Sequence, residues 1–374
     1  MTRLKAVQAR PDLLAWARKN SGREVDGIAK RLHLTPEQYA AVEAGERPLT
    51  LAQLRLFAKL VKRPIAAFYL PSTPSNVTKP HDYRAASGTV GKEAMLSFRK
   101  AERVQELSTA DFNSNSELFS IHPTTSVPAA RVASLARSAL NLTEAQQLAF
   151  RGSDQFAEWV IGSLESLGVH VLLHAYSTDD SKAYTMPGEP PVIVINRRDY
   201  ATSRLFSILH ELCHLLLRKP GMCDSIGAGG ASDLETYCNR FAAEFILPTA
   251  WFDEYLKAYE EDELDDDETL ARLAKTFSTS RDVVLLKLIQ LGRVDKDAYE
   301  RYRSRWDEEQ RARKKPGGRT SIRATALRDN GGLFVSEVAD AYSANRIGLV
   351  DAADLLGINP SYVEDVVGVV GGGG

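Results

Sequence analysis

Ser207-Ile208-Leu209-His210-Glu211-Leu212-Cys213-His214-Leu215-Leu216-Leu217 is the stretch from which the fold can be read. It contains H-E-x-x-H. On a helix, residues four apart share a face, so His210 and His214 present two imidazoles one turn apart. Two ligands of one tetrahedral Zn²⁺ need that spacing. Glu211 is one residue round from the first histidine and can reach a water at such a metal without being a ligand. The apolar flanks, Leu205, Phe206, Ile208 and Leu209 before and Leu215 to Leu217 after, bury the other sides of the helix. The competing reading is a buried helix whose two histidines are merely hydrogen-bonded.

A catalytic zinc site takes a third protein ligand and leaves a fourth position for water. Glu235 is the leading candidate. It opens Glu235-Thr236-Tyr237-Cys238-Asn239-Arg240-Phe241-Ala242-Ala243-Glu244-Phe245-Ile246-Leu247-Pro248, which reads as a second helix stopped by its proline. Glu235 and Asn239 share a face, and Ala242 and Ala243 let this helix pack close to the first. Glu244 on the same helix, and Asp224 and Asp233 in the expected connecting loop, are the alternatives. Two histidines and one carboxylate also suit Mn²⁺.

His210-Glu211-x-x-His214, then Glu235-x-x-x-Asn239-x-Phe241-Ala242-Ala243 and Leu247-Pro248, resembles the ImmA/IrrE family of zinc metallopeptidases. The resemblance spans residues 130–290. It implies His210, His214 and Glu235 as zinc ligands and Glu211 as general base. Val192 to Asn196 resembles the strand before the active helix in that family, and Arg204 stands where the family tends to carry an arginine.

The chain has 374 residues, 44% apolar and 26% charged, as in ordinary globular proteins of two or three domains. No apolar run approaches the ~18 residues a membrane span needs. The first residues lack the apolar core of a secretory signal. Three cysteines, an odd number, argue for a reducing compartment. Cytoplasm is the expected location, with no membrane partner.

The net charge of −2 hides an asymmetry: residues 1–72 carry 13 Lys/Arg against 6 acids, a net +7, leaving −9 for the rest. A basic N-terminal module suggests a polyanion contact there. Its pattern reads as short helices over Pro11–Lys19, Glu24–Leu32, Pro36–Ala44 and from Leu51. Thr35 and Thr50 serve as caps, and Gly22 and Gly45 as stops. Expected inward residues are Leu13, Leu14, Trp16, Ala17, Val25, Ile28, Ala29, Leu32, Leu51, Leu54, Phe57, Ala58 and Val61. The order Ile28-Ala29-x-x-Leu32-x-Leu34, then Val42-Glu43-x-Gly45, then Pro48-x-x-Leu51-x-x-Leu54, resembles the XRE/Cro-type helix-turn-helix domain. That resemblance implies double-stranded DNA as partner, read by helix 36–44. The candidate contacts are Lys30, Arg31, Thr35, Glu37, Gln38, Tyr39 and Arg47. Only Gln38 offers an amide for adenine and no arginine lies on the helix to reach guanine.

Between the modules, 73–129 reads as linker and helical connector. Pro71 to Asn76 is linker, His81 sits beside Asp82 in a loop, and Lys92–Leu107 is a helix. Asp111 to Pro128, with His122 on the surface, reads as irregular. Helices are expected over Pro128–Leu140 and Asp154–Leu167, and strands over Val169–Ala175, Ala183–Met186 and Val192–Asn196, with a turn at Pro187–Pro191. His170 and His174, four apart on a strand, are about 13 Å apart and structural. Val192, Ile193, Val194, Ile195 and Asn196 are expected to form a sheet edge against which an extended substrate pairs. Helices Trp251–Tyr259, Thr269–Phe277 and Arg281–Leu291 follow, with the acidic run Glu260–Glu268 solvated. In the C-terminal region 291–374, Arg301–Arg319 is basic with a turn at Lys314–Gly318. Leu333–Tyr342 and Leu349–Leu356 are helical, Asn359-Pro360-Ser361 starts another helix, and Gly371–Gly374 is a flexible end.

The expected fold class is therefore α+β. An all-α helix-turn-helix bundle (1–72) precedes a zincin-like domain (130–290) built from a small twisted sheet and the H-E-x-x-H helix, and a helical C-terminal region follows. The function the resemblances imply is a DNA-binding regulator carrying a zinc endopeptidase that cuts a protein, a repressor in such relatives. The alternative is an antitoxin and autorepressor that uses the peptidase fold as a platform for a PIN-type ribonuclease toxin. A second copy of the chain is a further expected partner.

Overall fold

A computed structural model describes residues 6–7, 9–74, 91–176, 182–186, 188–198, 201–217, 231–295, 297–302, 306 and 321–368. The His81–Arg84 loop, the linker beyond residue 74, Pro187, Asp224, Lys314–Gly318 and Gly371–Gly374 lie outside them. The described chain falls into two compact units. One runs to Glu106 and includes Ala175 and Tyr176; the other holds Leu107–His174 and the residues from Lys182 on.

The first unit is helical: α1 (Pro11–Lys19), α2 (Val25–Leu32), α3 (Pro36–Glu43), α4 (Leu51–Val61), a 3₁₀ turn at Ile65–Tyr69, and α5 (Lys92–Leu107). A short antiparallel pair, β1 (Ala6–Val7) with β2 (Leu49–Thr50), completes it. Local chemistry explains the starts. Pro11 and Pro36 sit in the first turns of α1 and α3, where a missing N–H costs nothing. Thr35 and Thr50 each form a reciprocal capping box, with Gln38 and Gln53. His33 ends α2 in the left-handed conformation, so α2 and α3 are joined by a tight turn. Leu14, Trp16, Ile28, Leu32, Tyr39, Leu54, Phe57 and Phe68 fill the core. Arg18 grips Glu43 through two hydrogen bonds of 2.7 and 3.0 Å and ties α1 to the end of α3. Arg99 of α5 donates to the carbonyls of Val61 and Lys62, supplying cationic partners to the orphan end of α4. Gly22 has φ +60°, and a Cβ there would lie 2.8 Å from Cα of Lys92. Only glycine allows that approach.

Two expectations for this unit are corrected. Leu51 points outward, 41% exposed, because as the first residue of α4 it precedes the buried stripe. Tyr39, expected on the DNA-reading face, is fully buried against Phe57. Tyr39, four residues past the capping Thr35, falls on the inward side of α3.

The second unit is built on a three-stranded sheet of order β3 (His170–His174), β5 (Val192–Asn196), β4 (Ala183–Met186). β3 runs parallel to β5, His170 opposite Val192, and β4 antiparallel to it, Ala183 opposite Ile195. The edge-strand expectation for Val192–Asn196 is therefore wrong: β5 is central, bonded on both sides. Its unbroken apolar run is what a strand covered on both faces shows, whereas a half-solvated edge alternates. The outer strand beside the H-E-x-x-H helix is β4.

Around the sheet lie α6 (Ala129–Ala139), α7 (Glu144–Ala149), α8 (Ser153–Glu165), α9 (Ala201–Leu217), α10 (Ala231–Ile246), α11 (Thr249–Leu256), α12 (Asp267–Thr276) and α13 (Arg281–Gln290). Then come α14 (Ile322–Asn330), α15 (Gly332–Ser343), α16 (Leu349–Leu356) and α17 (Val363–Val367). α9 packs on β4, β5, α8 and α10; α14 packs on β3. The shared core includes Phe156, Val171, Ile193, Leu209, Leu212, Phe241 and Phe245. α7 and α14 were not foreseen. α7 is a single Thr143-capped turn and a half, and α14 buries only Ala326 and Asn330, so neither carries a clear apolar stripe.

His170 does have a structural role. Its Nε2 meets Ser108 Oγ at 2.8 Å, and Ser108 donates to Glu337 of α15 at 2.7 Å. The amides of Thr109 and Ala110 donate to the same carboxylate oxygen.

Candidate metal centre

α9 and α10 bring the predicted residues together. His210 and His214 lie on one face of α9, and Glu235 enters from the first half of α10. The two Nε2 atoms are 3.1 Å apart. Glu235 places one oxygen 3.2 Å from His210 Nε2 and the other 3.7 Å from His214 Nε2. Donor atoms of all three lie within 4.8 Å of one another. Ligand bonds of 2.0–2.1 Å in a tetrahedron separate ligand atoms by about 3.3 Å. Both the donor set and its spacing thus fit Zn²⁺. His214 is buried, while His210 and Glu235 keep 14% and 32% of their side-chain surface exposed. The centre is anchored on one side and reachable on the other.

Asn239, one turn beyond Glu235, faces Nδ1 of His210 at 2.9 Å through its Oδ1. An amide oxygen only accepts, so this contact puts the proton on Nδ1 and leaves Nε2 as the ligand atom. Burial works against a charge on His210. The hydrogen bond to Glu235 and the fields of Glu211 and Glu235 outweigh it and hold the His210 pKa above its usual value. The two carboxylates, Glu235 and Glu211, thus favour positive charge at His210.

Glu211 is buried, and its Oε2 accepts a 2.7 Å hydrogen bond from the Thr185 hydroxyl of β4. Thr185 was not singled out from the sequence. It lies 26 positions upstream and carries no motif; only the sheet order places it beside the helix. Behind the centre, Cys213 and Cys238 are buried free thiols. Their mutual hydrogen bond and their burial push the Cys238 thiol up, so it stays protonated.

The alternatives to Glu235 go elsewhere. Glu244 is buried away from the centre, where it accepts from the amide and hydroxyl of Thr249 and from Lys287 Nζ. Asp233, expected in the loop, lies in the first turn of α10 and is exposed. His122 is exposed, as expected.

In the first unit, Lys30, Arg31, Thr35, Glu37, Gln38 and Arg47 are exposed. Gln38 differs from expectation in one respect: its Oε1 already accepts from the Thr35 amide at 3.1 Å. Half of the amide pair needed to read adenine is engaged in the cap. No helix among the described residues is long and apolar enough to cross a membrane.

No curated protein and no solved structure matches the chain. Residues 164–288, which carry Thr185, His210, Glu211, His214, Glu235 and Asn239, match the family model of the IrrE N-terminal-like domain, a peptidase family.

Proposed function

We propose that this chain is a zinc-dependent endopeptidase with Glu211 as its base, joined to an N-terminal module that binds double-stranded DNA. The observation that carries the reading is the convergence of His210, His214 and Glu235, with Glu211 close enough for its charge to act on the His210 ring. That convergence lies within a segment matching a peptidase family. His210, His214 and Glu235 would hold the ion. Zn²⁺ bound there supplies a lowered pKa for water and polarisation of the scissile carbonyl. The remaining work falls to side chains of this chain. Glu211 takes a proton from the attacking water and returns it to the leaving amine. Asn239 keeps His210 in the ligating tautomer. An extended substrate would lie along the side of the sheet that β4 borders, and the central position of β5 leaves that strand no pairing edge to offer. Mn²⁺ is the alternative ion for the same donor set.

The basic first unit, with Lys30, Arg31 and Arg47 exposed around α3, supports a phosphate-contacting role. A regulator that binds an operator and cuts a repressor unites the two modules. Glu211→Gln is the test. It should retain metal and fold while cleavage of the partner falls by about 10²–10⁴-fold. The assay is complementation in the native host beside a blot of candidate repressors. Full activity of the variant, with every candidate intact in the wild type, would reject the peptidase and favour the antitoxin platform.

A further inference from the structure

We propose that Thr185 is a positioning residue for Glu211: its hydroxyl holds the carboxylate beside the His210–His214–Glu235 centre and out of the ligand set. The inference rests on the metallopeptidase reading above.

Three observations support it. The hydroxyl donates to Oε2 of Glu211 at 2.7 Å, and both side chains are buried, Thr185 completely and Glu211 to 97%. A carboxylate so enclosed is steered by the donors fixed around it, because solvent cannot compete for its lone pairs. Thr185 is fixed in turn by the sheet: it stands opposite Ile193 in the β4–β5 ladder. The ladder holds its backbone, and β-branching and complete burial restrict the torsion that aims its hydroxyl. The sequence places Glu211 next to a ligand, on a helix where a small torsion change could turn its carboxylate toward the ion. Such a turn would fill the position that water needs. A short bond from a rigid strand opposes it.

The chemistry separates the hydroxyl from the methyl of Thr185. Thr185→Ser keeps the donor and loses a methyl; Thr185→Val keeps the shape and loses the donor. The probe is Co²⁺ alone, added to the metal-free full chain, because its visible d–d bands weaken as ligands are added. Wild type and Thr185→Ser should give the same spectrum. Thr185→Val should give weaker bands, as Glu211 joins the ligands. In a Glu211→Gln background, Thr185→Val should change nothing, since the carboxylate through which it acts is gone. Thermal melts verify that each variant is folded, and Thr185→Ala replaces Thr185→Val if the latter does not fold.

The positioning role is overturned if Thr185→Val leaves the spectrum unchanged, if Thr185→Ser alters it equally, or if the change persists without the Glu211 carboxylate. A wild-type protein that takes up no Co²⁺ gives a different pattern. That result overturns the reading of the centre itself and this inference with it.

Discussion

Oδ1 of Asn239 lies 2.9 Å from Nδ1 of His210. The contact joins α10 to α9 at the ring whose other nitrogen faces Glu235, so one hydrogen bond sets both the tautomer and the aim of a candidate ligand. Outer partners of this kind cost about 10–100-fold in metal affinity when removed. Asn239→Ala should weaken Zn²⁺ binding by that order, measured by competition with a chromophoric chelator. Asn239→Asp, which also accepts, should recover most of it. Equal affinity in wild type and Asn239→Ala would show that the ring is held by its packing alone.

The ligand set makes a sharper forecast. Purified protein should carry about one divalent ion per chain for a His₂-carboxylate site, and the double change His210→Ala with His214→Ala should abolish it. Glu244→Gln should not, since Glu244 is spent on Thr249 and Lys287. Elemental analysis decides, and unchanged metal in the double variant would end the assignment.

How far the sequence could carry the reading follows from where each signal resides. The centre was legible because all its ligands sit at helical spacings within two adjacent stretches, with Asn239 a turn from Glu235. The α2–α3 turn was legible because Thr35, Pro36 and Gln38 are local signals. What depended on strand order was not. Val192–Asn196 reads as a strand, but whether it is central or outer is set by β3 lying parallel beside it, a contact made across about 20 residues of sequence. Thr185 was hidden for the same reason. Tyr39 was misread because α3 has almost no net apolar side, so its inward face could not be chosen from periodicity.

Glu165, at the end of α8, faces the first turn of α15. The amides of Gly332 and Leu333 donate to it, and one oxygen is buried without a partner. Burial pushes its pKa up to about 7 from 4.5, against the opposing pull of those amides. A carboxylate with a raised folded-state pKa contributes stability below 4.5 that is lost as pH rises through about 7. The interval corresponds to roughly 3 kcal/mol at most. The wild-type melting temperature should therefore fall between pH 5 and pH 8. Glu165→Gln, neutral throughout, should flatten that fall and be the more stable protein at pH 8. Parallel pH profiles of the two proteins would contradict the assignment of the effect to Glu165.

Gly331 stands against the same carboxylate. Its φ is +75°, and a Cβ there would meet Glu165 Oε1 and lie 2.7 Å from the Val171 carbonyl of β3. Neither the backbone angle nor the space admits a side chain. At φ +75° and ψ 152° the backbone is in a region that is essentially glycine's alone, so Gly331→Ala should destabilise by more than the roughly 1–3 kcal/mol that such a backbone alone costs, read from thermal or denaturant unfolding. A neutral result would mean that α14 and α15 can shift away from β3 at little cost.

Lys287 and Glu244 form an enclosed ion pair in the second unit: Nζ and Oε1 are 2.5 Å apart, with the lysine side chain fully buried. Burial lowers the Lys287 pKa against the pull of Glu244. The pair ties α13 to α10, the helix that supplies Glu235 and Asn239. Removing one partner leaves the other charge stranded, which costs about 3–5 kcal/mol. Lys287→Met alone should thus destabilise strongly. Lys287→Met combined with Glu244→Gln should regain much of the loss, because the amide carries no charge and still accepts from Thr249. Chemical denaturation of both variants gives the comparison. If the double variant is no better than the single, the lysine acts through packing of its stem and not through its charge.

If Lys30, Arg31 and Arg47 contact phosphates, each neutralised phosphate releases a counterion, and log K falls with log salt at a slope of about −0.9 per contact. Replacing one such residue by alanine should weaken binding of the full chain to its own upstream DNA and reduce the slope by about one. Replacing Gln38 should behave differently. Its oxygen is occupied by the Thr35 amide, so Gln38→Ala should chiefly cost the cap, ~1 kcal/mol of stability, with the salt slope unchanged. The order of these effects discriminates between two modes of binding. A module that reads sequence through α3 would lose selectivity among DNA sites with Gln38→Ala, whereas one that grips the backbone would lose affinity evenly with Arg31→Ala. With Tyr39 in the core and Gln38 engaged in its cap, the expected outcome is the second. Fluorescence anisotropy at several salt concentrations, on the upstream sequence and on a scrambled duplex, measures both. Absence of any binding at low salt would remove DNA from the partners of this chain.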